Sequence, residues 1–496
     1  MLIIETSLIV ILLVIILVLY YSKYENTIEH NLVPPKLNNN PSWDVVMTEV
    51  TPLISFFNAK GGIKNPKYEV EIDKSKNFDS ENKIILEIPE NGKYVTDIKI
   101  GDENILDDNT LYYWRVRTLG IGNDKSEWET SRFYVDTHSD DEFMNLVRVK
   151  VENVEASAGY NAKNIIDYDD PGLTTFWQSP PPGKKENWLK FDLGKPCEIT
   201  RLWILSNPTD RDNWLKDFIL QSSVDGSVWD NITESEVRDN NTFRNIIDFK
   251  PVEARYFRLL IRDYIGYAAQ INEVIFYCPG KPKMPMIPDE QYVLIIGNEH
   301  NGFTFTDLAK RVESLNFKTV TVPYYETSLE MLERLPKKPI AIILSGNNAD
   351  YPNLPMFEHN GEFEIIRNTD IPLLGICAGH QFLAMSYGYS RARSMGWSDI
   401  SAIEPKTKMT KINILKIDPI FEGVKDEFIG PEIHGWEVAE PFEEFEVIAK
   451  SDYVQAQKSN KRIIYGIQFH SEINEVYNEG SRVIENFLKL AKNNQK

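Results

Sequence analysis

Cys377, His470 and Glu472 are the residues whose types and spacing could do chemistry in this 496-residue chain. Cys377 follows an apolar run, Ile371 to Ile376, broken by Gly375, and a helix-permitting stretch, Ala378 to Tyr387, begins at once. A strand, a tight turn and a helix in that order lift the turn residue out of the carboxyl edge of a sheet and point the first helix amides at it. A thiol placed there has its thiolate favoured by the helix dipole and can act as a nucleophile near neutral pH. Most free cysteines are small buried core residues instead, but a second run, IIYGIQFHSE from Ile463 to Glu472, supplies partners. His470 and Glu472 lie two apart, so in extended chain they project to the same side and the carboxylate can orient the imidazole.

Such a triad needs a sheet edge to stand on, and the surrounding pattern provides one. Strand-like runs at Tyr292 to Ile296, Thr319 to Val322 and Ile340 to Leu344 alternate with helical stretches at Phe305 to Leu315 and Ser328 to Leu335. Phe305, Leu308, Ala309, Val312 and Leu315 fall on one helical face. Alternation of this kind predicts a C-terminal α/β domain with a mostly parallel sheet wrapped by helices, over residues 290–496.

GICAGHQ (Gly375 to Gln381) as a nucleophile elbow, with QFHSE in place of the usual FHPE, resembles the class I (triad-type) glutamine amidotransferase domain. With VQAQ (Val454 to Gln457) and YGIQFH, it looks most like the glutaminase subunit of GMP synthase. The resemblance implies hydrolysis of the glutamine side-chain amide by a Cys377, His470, Glu472 triad through a γ-glutamyl thioester, with no cofactor required. It implies an oxyanion hole from the amides of Ala378 and of Gly346 in LSGNN, where Asn347 and Asn348 replace the glycine and proline of the family's SGGP. Asn tolerates positive φ, which would let that loop survive. Gln381, Gly435 and Trp436 become candidate contacts for glutamine, whereas His434 reads as structural, and Ser471 stands where the family has a rigid proline. No GxxxxGK[ST] or SGGxDS pattern marks a synthetase, so ammonia would pass to a separate protein or be released. Two other readings stay open: a degenerate scaffold in a binding protein, or a γ-glutamyl hydrolase acting on conjugates.

Length predicts about three domains. Residues 1–24, with 14 consecutive apolar residues from Leu8 to Tyr21, read as an uncleaved single-pass transmembrane anchor, because Glu5 precedes the run and tyrosines follow it where a signal peptide has basic and small residues. Which side of the membrane the rest faces stays open. Residues 25–42 read as a linker, and 43–137 as a small β-sandwich in which LYYWRVRTLG, SEW and RFYV resemble a fibronectin type III domain and Trp114 packs the core. Residues 145–280, with FWQSP, NWLKFDLGKPCEITRLWIL and ARYFRLLI, resemble a discoidin (coagulation-factor C-type) jelly-roll, which implies binding of glycan or phospholipid head groups through loops at one end. Trp188, Trp203 and Trp229 read as core, and Trp177, Trp214, Tyr264 and Tyr267 as candidate ligand-stacking aromatics. Asp167 and Asp170, with Glu273 downstream, resemble a structural calcium site; a solvated acidic loop is the plainer alternative. Residues 281–289 are a proline-rich linker. A net charge of -20 argues against nucleic acid as a partner. Cys197 and Cys278 could form one disulfide or remain free thiols.

Overall fold

The strand that ends at Cys377 lies near the middle of a nine-stranded sheet. The computed structural model describes residues 32–37, 45–47, 50–60, 65–108, 110–120, 124–135, 146–168, 175–180, 186–207, 213–240, 243–300, 306–347, 351–388, 391–394, 408–473 and 478–494. In the C-terminal domain the strands are β1 (Tyr292–Gly297), β2 (Lys318–Pro323), β3 (Ala341–Leu344), β4 (Leu373–Ile376), β5 (Ala392–Ser394), β6 (Lys408–Ile414), β7 (Glu427–Glu432), β8 (Trp436–Val438), β9 (Phe445–Lys450), β10 (Val454–Ser459) and β11 (Ile464–Ile467). The order is β2-β1-β3-β4-β11-β10-β9-β6-β7. Its first five strands are parallel and the rest join antiparallel, while β5 and β8 form a separate short ladder. The helices are α1 (Thr306–Ser314), α2 (Leu329–Arg334), α3 (Asn360–Asn368), α4 (Ala378–Met385) and α5 (Arg482–Asn493).

Continuous apolar runs are what a parallel sheet covered on both faces requires. Tyr292, Leu294 and Ile296 of β1 join one core with α2, α3 and α4, whereas Val293 and Ile295 join a second core with α1 and α5. The expected face of α1 is buried at Leu308 and Val312. Ser328 caps α2, its Oγ accepting from the Met331 amide at 3.0 Å.

The preceding domains are both β. Strands Val45–Met47, Glu129–Val135, Thr110–Leu119, Lys67–Asp73 and Ile84–Pro89 form one sheet, in that order, and Leu53–Phe57 pairs with Val95–Lys99 in another. Phe56, Tyr68, Val70, Trp114 and Phe133 share the core between them, so this is a sandwich and Trp114 packs inside it as expected. The linker expectation fails in part. Lys36 exchanges backbone hydrogen bonds with Phe57, and Leu37 is buried in the sandwich core, so residues 32–37 belong to that domain. The second domain is an eight-stranded antiparallel jelly-roll built on the long paired strands Asn187–Ser206 and Arg244–Tyr264. Cys197 and Cys278 are both free thiols. Residues 1–31, including the apolar run, lie outside the described residues; among the described residues no helix is long and apolar enough to cross a membrane.

Candidate active site

Cys377 occupies the one-residue joint between β4 and α4 with φ of 53° and ψ of -105°. A non-glycine residue held at positive φ is strained and persists only where its surroundings over-determine it. Here the Cys377 amide donates to Ile467 O at 2.8 Å and its carbonyl accepts from the Gln381 amide at 3.1 Å. Two glycines let the helix come this close. A Cβ on Gly375 would stand 2.4 Å from Gly379 O, and one on Gly379 2.6 Å from Leu344 O. Cys377 is only 2% exposed, and its Sγ lies 3.6 Å from Ile433 O.

His470 follows β11, its amide bonded to Pro431 O at 2.9 Å and its Nδ1 2.6 Å from Glu472 Oε1. Burial, the largest influence, works against the imidazolium, but the charge of Glu472 and contact with Cys377 outweigh it and raise the His470 pKa well above the ordinary value. Ser471 compensates for the absent proline by bonding. Its Oγ donates to Gly480 O at 2.9 Å and accepts from the Ile484 amide at 3.1 Å, tying the triad segment to the first turn of α5. Asn478 Nδ2 adds bonds to His470 O and Ile473 O at 3.0 and 2.7 Å.

At the oxyanion position, the Gly379 amide donates to Ser345 O and the Gln381 amide to Cys377 O, both at 3.1 Å, and the Ala378 amide stands at the opening of the helix. Gly346 is buried next to Ser345, whose Oγ donates to Gly346 O at 3.0 Å. The Asn347 substitution is accommodated differently from the expectation. Asn347 is not at positive φ; its Nδ2 instead donates to Asn298 O at 2.6 Å. Asn348 lies outside the described residues.

Gln381 and Trp436, expected to meet glutamine, are bonded to each other. Gln381 Nε2 donates to Trp436 O at 2.5 Å and to Gln468 Oε1 at 3.1 Å, while its Oε1 accepts from Tyr351 OH. The Trp436 ring is buried against Tyr351. Both brace the segment that carries Ile433 and the buried Gly435. His434 is structural as expected, with Nδ1 2.8 Å from Trp436 O. Sequence reasoning missed Glu432. Despite burial, the largest influence, bonds from His434, Thr410 and Tyr453 hold its carboxyl well below the usual range, anchoring the same segment. A glutamate closing the Phe428 to Pro431 run of β7 was the available signal.

In the jelly-roll, Trp177 is 0% exposed and Tyr264 is buried, both in the domain core, so neither is a ligand-stacking aromatic. Their Pro- and Asp-containing flanks suggested loops, but strand pairing draws both inward. Trp214 is half-buried, with its Nε1 on Asn207 O and its ring against Phe243. Tyr267 is 59% exposed, as a ligand contact requires, and Tyr160, which sequence reasoning missed, is 66% exposed. Its setting between Gly159 and Asn161 was the signal. Both tyrosines are tied through their backbones to one amide cluster: Tyr160 to Gln178, and Tyr267 to Asn213. Gln178, Gln270 and Asn207 are linked side chain to side chain. Trp203 is core, whereas Trp188 and Trp229 are only half-buried.

Glu273 is buried and Asp167 exposed, and Asp170 lies outside the described residues. Burial first, and then the neighbouring Asp167, raise the Glu273 pKa well above the ordinary value. Among the described residues no group of three metal-ligating side chains converges.

The fold and this constellation define a class of enzyme. The family model for Glutamine amidotransferase class-I matches residues 301–491, and that for the F5/8 type C domain matches residues 149–274. The chain belongs to the class I glutamine amidotransferase family, whose reaction is hydrolysis of the glutamine amide. The glutamine-hydrolyzing subunit of GMP synthase from Methanosphaera stadtmanae is 35% identical over 189 residues, covering 38% of this chain and 91% of that protein. Its counterpart from Methanobrevibacter smithii is 33% identical over 203 residues, covering 40% of this chain and 96% of the relative. A solved structure, the family 32 CBM from C. perfringens NanJ in complex with galactose, is 16% identical, covers 27% of this chain and 98% of that one, and has a TM-score of 0.24.

Proposed function

We propose that this chain hydrolyses glutamine through Cys377, His470 and Glu472, in the manner of a GMP synthase glutaminase subunit. The observation that carries the reading is that His470 Nδ1 meets Glu472 Oε1 at 2.6 Å, with Cys377 among the neighbours that raise the imidazole pKa. The Cys377 thiolate attacks the amide carbon, and the developing oxyanion is stabilised by the amides of Ala378 and Gly346. His470 gives its proton to the departing nitrogen, so the C–N bond breaks and ammonia leaves a γ-glutamyl thioester. It then takes a proton from water, whose attack on the thioester releases glutamate and restores the thiolate, imidazolium pair. Glu472 holds the imidazole in position throughout. Gly435 lies in the segment that would face the substrate, braced by Gln381 and Trp436. Ammonia passes to a separate synthetase or is released.

The jelly-roll adds a glycan or phospholipid head-group site at the end carrying Tyr160 and Tyr267, where exposed rings flank hydrogen-bonding amides. A structural calcium held by Asp167, Asp170 and Glu273 is the corresponding proposal for the acidic loop, whose side chains are the hard oxygen donors calcium takes. The sandwich serves as a fibronectin type III-like spacer, and Leu8 to Tyr21 anchor the chain in a membrane.

Labelling with 6-diazo-5-oxo-norleucine and peptide mapping by mass spectrometry tests the chemistry. The expected adduct sits on Cys377, is lost in Cys377→Ala and is competed by glutamine. A folded chain that takes no label while a general thiol reagent still reaches Cys377 refutes the reading.

A further inference from the structure

Arg148 belongs to the discoidin-type domain, yet its side chain is buried in the amidotransferase domain. Its Nε donates to Glu358 Oε1 at 2.6 Å, Nη2 to Tyr324 OH at 2.8 Å, and Nη1 to His300 O at 2.9 Å. Tyr277, from the same β-domain, adds a 2.8 Å bond to Glu358. His300 ends the segment that leaves β1, and two residues earlier Asn298 is the clamp of the oxyanion loop. The Asn298 amide donates to Ser345 Oγ at 2.8 Å, its Nδ2 to Ser345 O at 3.0 Å, and its carbonyl accepts from Asn347 Nδ2. Ser345 O in turn receives the Gly379 amide of α4, beside the nucleophile.

A second path reaches the same clamp. Tyr324, bonded to Arg148, stacks on His359 with ring centroids 4.0 Å apart and planes 6° from parallel. His359 Nδ1 lies 3.0 Å from Glu362 Oε2, and Glu362 Oε1 accepts from Asn298 Nδ2 at 3.1 Å. Tyr324, His359, Glu362 and Asn298 are buried and the Arg148 side chain is only 10% exposed, so water is a poor substitute for a lost partner.

We propose that Arg148 of the discoidin-type domain is a positioning residue for amide hydrolysis, holding the Asn298–His300 segment and through it the Ser345–Asn347 loop that presents the Gly346 amide to the oxyanion. This rests on the reading of Gly346 as an oxyanion donor. An amide that acts only on the developing charge contributes to turnover rather than to binding, and small misplacements of such a donor cost on the order of 100-fold in rate. The domains thus form one catalytic unit.

The test is steady-state glutamine hydrolysis by the full chain, with the rate of Cys377 alkylation by chloroacetamide as a readout of the nucleophile alone. In Arg148→Ala, kcat falls about 100-fold, while KM and the alkylation rate stay within about twofold. Because this change strands Glu358, the paired variant Arg148→Met with Glu358→Gln removes both charges and is expected to show the same split; it decides the matter if the single variant does not fold. A kcat within twofold of wild type in the folded variant overturns the proposal, as does a loss in which KM and alkylation change together with kcat. A wild-type chain that hydrolyses no glutamine refutes the function itself, which separates that failure from this one.

Discussion

Ser471 shows how a single side chain can take over the work of a ring. A proline would restrict the backbone between His470 and Glu472 by fixing φ; the Ser471 hydroxyl instead bonds Gly480 O and the Ile484 amide, so rigidity comes from α5. In Ser471→Ala the buried Ile484 amide loses its acceptor. The expected cost is about 1–3 kcal/mol, read as a lower midpoint for the C-terminal transition in calorimetry, together with a lower kcat as His470 and Glu472 loosen. An unchanged midpoint and kcat would assign no role to the hydroxyl. The candidate residues Cys377, His470 and Glu472 could be singled out because their signals are local: a strand, a turn and a helix around Cys377, and a two-residue interval between His470 and Glu472. Trp177 misled because its prolines and glycines describe the neighbouring chain, whereas its burial is decided by pairing with a strand more than ninety residues away.

Among the elements, the approach of α4 to the sheet is the tightest constraint on the site. Gly379 faces Leu344 O and Gly375 faces Gly379 O at distances no Cβ tolerates, and the obstructing atoms are backbone. Gly379→Ala therefore forces α4 away from β3, with an expected loss of about 1–3 kcal/mol and of glutamine hydrolysis, since Cys377 and the Ala378 amide ride on that joint. A variant with wild-type stability and activity would mean that the close packing is not needed. The elements read between Tyr292 and Leu344 fall within a residue of the observed ones, because their apolar runs and helical faces are long enough to carry a period. The short sandwich strands Leu53–Phe57 and Val95–Lys99 were not legible. Five residues give a period of two little room, and their identity as strands comes from each other.

Over the whole molecule, buried polar contacts join all three domains. Arg391, nearly fully buried, pairs with Asp97 of the sandwich and bonds Pro441 O at 3.0 Å, while Glu440 Oε2 accepts from the amides of Tyr94 and Val95 at 3.3 Å. Asp97 is half-buried, and burial, opposed mainly by Arg391, raises its carboxyl pKa. Arg391→Met leaves that carboxylate without its cation. The expected loss is about 1–2 kcal/mol after allowance for solvent at Asp97, seen in calorimetry as a sandwich transition that separates from that of the C-terminal domain, with glutamine hydrolysis unchanged; a single unaltered transition would show that the contact does not couple them. None of this was legible in the sequence. Arg148 and Glu358 stand 210 residues apart, and a charged residue that ends buried in a neighbouring domain has the same local pattern as one facing water. The Arg148 contact also bears on descent. A recombination at Lys281 to Pro288 that gave the catalytic domain a different N-terminal neighbour would leave Glu358 and Tyr324 facing a surface never selected to meet them. The two modules are therefore expected to be inherited together, their ancestry joined at a place where the chain itself looks easiest to cut.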